Sequence, residues 1–404
     1  MSASSQAEPY PGAPQKRWIV SALGIMQIFA WGSTFYLPAI LAAPIAADTG
    51  WSLTWIVGSL SMGLVVAGLV SPRVGIAIDR FGGRRLLSLS CVLLAIGLLL
   101  IGSASVLWVY MAGWLILGIG MGAGLYDAAF ATLGQIYGLK ARSAITALTL
   151  WGGFASTICW PLTAWLLEQW GWRTTCFVYA GIMLFICLPL LRLALPAKQQ
   201  PIAKIDLPAP APFVFTQLEN RQMRLVMFTL IISGAIGALV SVHLLLLLSG
   251  RGLSTEDAVM LGALIGPAQV AGRLLEAANR ERHHPLWTLT IAVALTAAGL
   301  ILLASGASLP ALALILYGAG NGIFSIAKGA LPLFLFGVER YARIMGRLAR
   351  PSMLAQAVAP ALVAWLLAGN GAQPLALLLT VLSALNIVVV FQLWRLRLSA
   401  AHAN

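Results

Sequence analysis

The sequence predicts an all-α membrane protein: twelve transmembrane helices divided into two six-helix halves. Three observations carry this. The 404-residue chain is 60% hydrophobic and only 9% charged, with a mean hydropathy of +0.91, whereas soluble domains carry about 25% charged residues. Twelve apolar runs approach or exceed the ~20 residues needed to cross a bilayer. The basic residues collect in alternate loops between those runs.

The runs fall at 18–46, 53–71, 86–104, 107–136, 143–167, 174–195, 225–249, 256–279, 286–305, 310–336, 348–368 and 374–394. Most connections are short. The exception, 196–224, is rich in proline and carries Lys198, Lys204, Arg221 and Arg224. It reads as a cytoplasmic linker between an N-terminal half, 18–195, and a C-terminal half, 225–394. Residues 1–17 are polar and proline-rich and read as a disordered cytoplasmic tail; 395–404 form a second tail. The run after the first tail is too long for a signal peptide, so it is kept as helix 1.

Net charge is +13, yet the positive residues sit in short loops rather than on one binding face, which excludes nucleic acid as the partner. Of the 25 lysines and arginines, only Arg173 and Arg251 fall in the loops of one side, and only Arg273 and Lys328 inside predicted helices. By the positive-inside rule both termini are cytoplasmic, in a bacterial-type inner (plasma) membrane, and the helix count is even. Cys91, Cys159, Cys176 and Cys187 all fall in apolar runs without metal-ligand spacing. No nucleophile–base pair or nucleotide loop occurs, so an enzyme is not expected, and neither is a cofactor or a metal.

Between helices 2 and 3 lies Pro72–Arg85, PRVGIAIDRFGGRR, with Gly75, Asp79, Arg80, Gly82, Arg84 and Arg85 spaced G-x-x-x-D-R-x-G-x-R-R. This resembles the signature loop of the major facilitator superfamily of secondary transporters. The two halves also resemble each other. Gly118, Gly120 and Gly122 match Gly318, Gly320 and Gly322 at an offset of 200 residues, as does Trp165-Leu-Leu with Trp365-Leu-Leu. Glu281-Arg282 stands where a decayed copy of Asp79-Arg80 belongs. Parallel six-helix repeats are the architecture of that superfamily.

The resemblance implies two six-helix bundles around a central cavity, lined by helices 1, 4, 7 and 10 and worked by alternating access. Gly50-Trp51-Ser52 before helix 2 and Arg273 in helix 8 resemble the monocarboxylate and oxalate–formate branch, in which such an arginine binds the anion. Glu276 close by, and Ala277 in place of a glycine, depart from that pattern.

Charges inside a membrane are costly, by about 2.5–3.5 kcal/mol or more at mid-bilayer, which makes each a candidate site. Asp127 and Lys328 occupy nearly equivalent places in helices 4 and 10. They predict a carboxylate–ammonium pair that binds substrate or proton; the alternative is a static bridge. Arg273 and Glu276, three apart, share a face of helix 8; Arg273 is the candidate anion binder, and the alternative is a local Arg273–Glu276 pair that serves neither substrate nor proton. His243 in helix 7 is a candidate proton acceptor. Gln27, Tyr126 and Asn321 are uncharged candidates for the cavity wall. Asp79 is expected to latch the inner gate against the start of helix 11, near Arg350-Pro351-Ser352, a contact worth roughly 0.3–1 kcal/mol.

The expected function is secondary transport of a small solute, with organic anions such as monocarboxylates the leading class, coupled to a proton or ion. The alternative is an exporter of drugs or toxic compounds, metalloids included, and the remote one a transport-dead sensor. Expected partners are the small-molecule substrate, its coupling ion and membrane lipid, with the chain acting as a monomer.

Overall fold

The computed structural model describes residues 16–197, 215–278, 283–306, 308–367 and 372–402. Most of the expected tail 1–17, most of the linker 196–224, and Glu281-Arg282 lie outside the described residues. Nine helical stretches among the described residues are long and apolar enough to cross a membrane. One of them, Leu107–Ala194, is 88 residues long. It is divided at the 3-10 turn Gly138–Lys140 and at Gly171, where φ is 77°, into three spans. The remaining span, Val338–Leu367, eleventh in chain order, carries Glu339, Arg340, Arg343, Arg347 and Arg350 in its first turns and is correspondingly less apolar.

In chain order, span 1 is α1 (Lys16–Gly32) and α2 (Leu37–Thr49), span 2 is α3 (Leu53–Phe81) and span 3 is α4 (Gly83–Ser103). Span 4 is α5 (Leu107–Gly124) and α6 (Tyr126–Tyr137). Span 5 is α7 (Ala141–Gly153) with α8 (Ala155–Ile182) up to Gly171. Span 6 is the rest of α8, a π-helical turn at Met183–Cys187, and α9 (Leu188–Ala194). The second half comprises α10 (Gln217–Ser249), α11 (Thr255–Gly262) with α12 (Ile265–Ala278), α13 (Pro285–Ala304), α14 (Pro310–Phe336), α15 (Val338–Leu367) and α16 (Gln373–His402).

Four expected continuous helices are broken. Span 1 is interrupted between Gly32 and Leu37, where Pro38 opens α2 without a backbone N–H to carry the helix on. Span 5 is interrupted at Phe154, and span 8 at Ala263 and Leu264. In span 4, Leu125 is extended, with φ −72° and ψ −173°. The run Gly120-Met-Gly122-Ala-Gly124 explains the site of that break, since each glycine costs about 1 kcal/mol of helix propensity relative to alanine. The freed Gly124 carbonyl accepts a 2.7 Å bond from Gln27 Nε2. As a result Asp127 stands in the first turn of a new helix, α6. Span 11 departs from expectation at its start: α15 begins at Val338, ten residues before position 348, and Pro351 lies inside it.

The glycine repeat has a packing counterpart. Gly118 and Gly122 lie against α3, at Gly63 and Ala67, while Gly120 lies against Leu94 of α4. In the other half Gly318 and Gly322 lie against α12, at Ile265 and Gln269, and Gly320 against Thr296 of α13. The same face of the fourth helix of each half thus meets the second and third helices of that half. Without side chains the backbones approach closely, which helix packing in membranes exploits.

Candidate functional site

The two halves are joined on the face that holds the helix ends Phe81, Tyr137, Ala141, Ala278 and Val338, here called the basic face. The core of the first half runs on into Tyr341, Ala342, Met345, Ala349 and Met353 of α15. The basic-face parts of spans 5 and 8, α7 and α12, pack on each other, and α7 also packs on α14. Their opposite parts pack mainly at home, α8 on α1, α2 and α4, and α11 on α10 and α14.

At this seam the motif residues separate into distinct jobs. Gly75 meets the Ala342 carbonyl and Arg343 Cα, and Gly346 meets the Ser71 carbonyl, so neither position has room for a side chain. Asp79 accepts from Arg343, at 2.8 Å from Nε and 2.6 Å from Nη2. Its partner is therefore a side chain in the second turn of α15, not the helix start near Pro351, because α15 begins earlier than expected. Gly82, with φ +81°, turns the chain between α3 and α4. Arg80 and Arg85 are exposed, and Arg84 and Arg85 join Arg192 around a groove of about 420 Å³.

Farther into the protein, Lys328 Nζ lies 2.8 Å from the Asp127 carboxylate. The Asp127 side chain is 7% exposed and that of Lys328 17%. The pair bridges α6 and α14, hence the two halves. Tyr341 closes the pair off from the basic face: its ring packs on Gly134 and its hydroxyl donates to the Gly329 carbonyl at 2.8 Å.

Arg273 is 6% exposed. Its Nε donates to Ser325 Oγ at 3.1 Å and to the Gly322 carbonyl at 3.3 Å, and its Nη2 to Gln269 at 3.4 Å. Its Nη1 has no protein partner among the described residues. That nitrogen lies against Gly153, and the Tyr126 hydroxyl against Gly152, so consecutive glycines of α7 seat one group from each half. Ser325 is three residues from Lys328, so the Arg273 and Asp127 sites are one turn apart along α14.

The alternative reading, a local Arg273–Glu276 pair, is not present among the described residues. Glu276 faces the basic side, 3.5 Å from Arg142 Nη2, 3.3 Å from His283 Nε2 and 2.7 Å from Thr288 Oγ1. Arg142 also donates to the His283 carbonyl at 2.7 Å. The spacing of three placed both charges on one face of α12, but α7 supplies a competing cation for Glu276 across the seam. Arg142 escaped the sequence reading because it counted as an orientation charge in a loop, and His283 carried no sequence signal.

Three further candidates lie away from Arg273 and Asp127. Gln27 is fully buried in the first half, bonded to Gly124 and accepting from Trp31 Nε1 at 3.2 Å. Its polarity serves the break in span 4. His243 stands 3.4 Å from the Pro360 carbonyl of α15. Asn321 lines a small polar space with Ser233, Thr296, Tyr317 and Asn386 inside the second half. All four cysteines are free and buried. Among the described residues no group of three or more His, Cys, Asp or Glu is placed to hold a metal ion.

One titratable group at the basic face makes a separate prediction. His284 caps α13, its Nδ1 accepting from Leu286 N at 3.0 Å, which requires a neutral ring. Burial, then Arg397 and Arg142, push its pKa down to about 4. A histidine with a folded pKa below its unfolded ~6.5 stabilises the fold at neutral pH and loses that contribution as pH falls. Thermal stability in detergent is expected to drop between pH 6.5 and about 4. His284→Asn, which keeps a capping acceptor, is expected to flatten that part of the profile.

Comparison with known proteins agrees with this architecture. The family model described as Major Facilitator Superfamily matches residues 23–347. Monocarboxylate transporter 6 of Mus musculus is 28% identical over 141 residues, 34% of this chain and 28% of that protein. The Homo sapiens protein of the same name is 31% identical over 137 residues, 33% of this chain and 26% of that one. The chain thus matches little more than a quarter of these curated relatives. The human organic anion transporter MFSD10 (TETRAN) superposes with a TM-score of 0.72 at 16% identity, covering 93% of this chain and 100% of that one. FucP in its outward conformation superposes at 0.70 with 14% identity, over 93% and 98%. These solved neighbours are transporters rather than enzymes, and at such identities they speak for the fold alone. With twelve spans in two similar halves, a signature loop placed at the seam between them, and a family model matching most of its length, this integral membrane protein belongs to the Major Facilitator Superfamily.

Proposed function

We propose that the protein is a secondary active transporter of a small organic anion, with monocarboxylates the favoured class. It acts as a monomer in a bacterial-type inner membrane, with both termini cytoplasmic and flux coupled to a proton or ion gradient. The observation that carries this reading is Arg273: a buried guanidinium between the two halves, one nitrogen without a protein partner, its nearby carboxylate Glu276 engaged by Arg142. A planar fork of donors suits a carboxylate. The names of the similar transporters, monocarboxylate and organic anion, support the same class.

In this reading the structure is the state closed to the cytoplasm. A proton arriving at Asp127 neutralises its carboxylate and frees Lys328, which loosens the joint between α6 and α14. Asp79–Arg343 acts as the inner latch, and Asp79→Asn is expected to shift cross-linking across α3 and α15 toward the inward-open form; an unchanged pattern removes that role. Grooves lined by Arg84, Arg85 and Arg192, and by Arg221, Arg224 and Arg395, suit anionic lipid headgroups.

Proteoliposome uptake of pyruvate, lactate and benzoate tests the reading. A pH gradient, acid on the side of entry, is expected to raise the initial rate several-fold. Flux of none of the three, with or without the gradient, overturns it.

A further inference from the structure

We infer that the anion held at Arg273 carries an aromatic ring: the site is built for aryl carboxylates. This rests on the reading of Arg273 as the carboxylate-binding group. It adds a claim about the rest of the ligand, drawn from what surrounds the guanidinium.

Six rings of the first half form a continuous series beside it. Tyr126 stacks on Phe130 with centroids 5.1 Å apart and 11° between planes, and meets Trp31 at 5.3 Å. Trp31 meets Phe35 at 5.6 Å and Tyr36 at 6.4 Å, and Tyr36 meets Trp160 at 6.1 Å. Phe130 is wholly buried and belongs to the core. The others keep ring surface free: Trp31, Phe35, Tyr36 and Tyr126 are only partly buried, and Trp160 is 44% exposed. The Tyr126 hydroxyl lies against Gly152 and Arg273 Nη1 against the adjoining Gly153, so the Tyr126 end of the series stands beside the guanidinium of the opposite half.

The rings are also held in place. The Trp31 indole N–H donates to Gln27, whose amide is fixed by the Gly124 carbonyl. Tyr36 stands at the end of the break in span 1, and Tyr126 follows the break in span 4. The Tyr126 hydroxyl is seated on Gly152. Packing for its own sake would bury these faces. A preorganised set of partly open rings, with a lone guanidinium at one end, matches a ligand with a carboxylate at one end and a π-face behind it. Aromatic pairs favour centroid separations of about 4.5–7 Å in edge-to-face or offset geometry, the spacing these rings already keep with one another.

Isothermal titration of the purified full chain in detergent with benzoate, cyclohexanecarboxylate and propionate tests this. Benzoate and cyclohexanecarboxylate share a carbon skeleton and differ in the π-system. Benzoate is expected to bind about two- to tenfold more tightly, with propionate weakest. In Trp31→Leu and in Trp160→Leu the benzoate to cyclohexanecarboxylate ratio is expected to fall toward one. The second variant, at a half-exposed position, guards against a folding defect in the first. Equal affinity for the two ring acids in the unmodified protein, or a ratio unmoved in both variants, overturns the inference. If those acids bind alike and Arg273→Gln weakens both, the anion site stands and only the aromatic claim falls. If no carboxylate binds in an Arg273-dependent way, both fall.

Discussion

Asp127→Asn and Lys328→Ala are each expected to abolish coupled uptake. The two side chains neutralise each other across the halves, with the carboxylate almost fully buried. Removing one partner of a buried pair leaves an uncompensated charge, at a cost of about 3–5 kcal/mol. For Lys328→Ala that cost falls on Asp127, and part of any loss of activity would then reflect lost stability. The double variant Asp127→Asn with Lys328→Gln separates the two effects. It carries no stranded charge and is expected to regain the thermal stability of the unmodified protein while remaining inactive. A double variant that transports normally reduces the pair to a structural bridge. The readouts are initial uptake rates in proteoliposomes and melting temperature in detergent.

Arg273→Gln is expected to weaken carboxylate binding by about ten- to a hundredfold, since a hydrogen bond to a charged group contributes roughly 1.5–3 kcal/mol. The loss should appear mainly in KM. The protein should still fold, because the guanidinium has no ion-pair partner among the described residues and its contacts are to Ser325, Gln269 and the Gly322 carbonyl. Arg273→Lys keeps the charge but not the fork, and a lysine ammonium cannot donate at once to Ser325 and to a ligand with the same geometry. Its affinity is expected to lie near that of Arg273→Gln rather than that of the unmodified protein. Affinity equal to the unmodified protein in either variant would move the anion site elsewhere in the cleft.

Much of the fold was legible because a bilayer imposes its own signal: an apolar run of given length has few other uses. The alternation of charge added topology, and the motif around Asp79 added the family. Helix breaks were not legible. Leu125 carries no proline, and the extended backbone there depends on Gln27 from another helix reaching the Gly124 carbonyl. Span 11 began late in the sequence reading because Arg340, Arg343 and Arg347 lowered its hydropathy. In the structure, that charged stretch is helical and its small residues are packed against α3. Asp127 and Lys328 were legible as a pair from the internal repeat. The fate of Glu276 was not, since spacing along one helix says nothing about a cation arriving from another half of the chain.

The seam between α3 and α15 has a mechanical consequence. At its tightest points, Gly75 against Ala342 and Gly346 against Ser71, the contact is backbone on backbone. At those two points no side chain has to leave a socket, whereas Tyr341, Met345 and Met353 of α15, buried in the core of the first half, must be drawn out if the halves part. The ion pair at the end, Asp79–Arg343, keeps about a quarter of each side chain exposed and is worth about 0–1 kcal/mol. A clasp that weak is undone by ordinary thermal agitation, and recloses as readily. In the proposed cycle the gradient sets the direction of transport, and the cost of opening this seam falls on the apolar side chains of α15 rather than on the ion pair at its end.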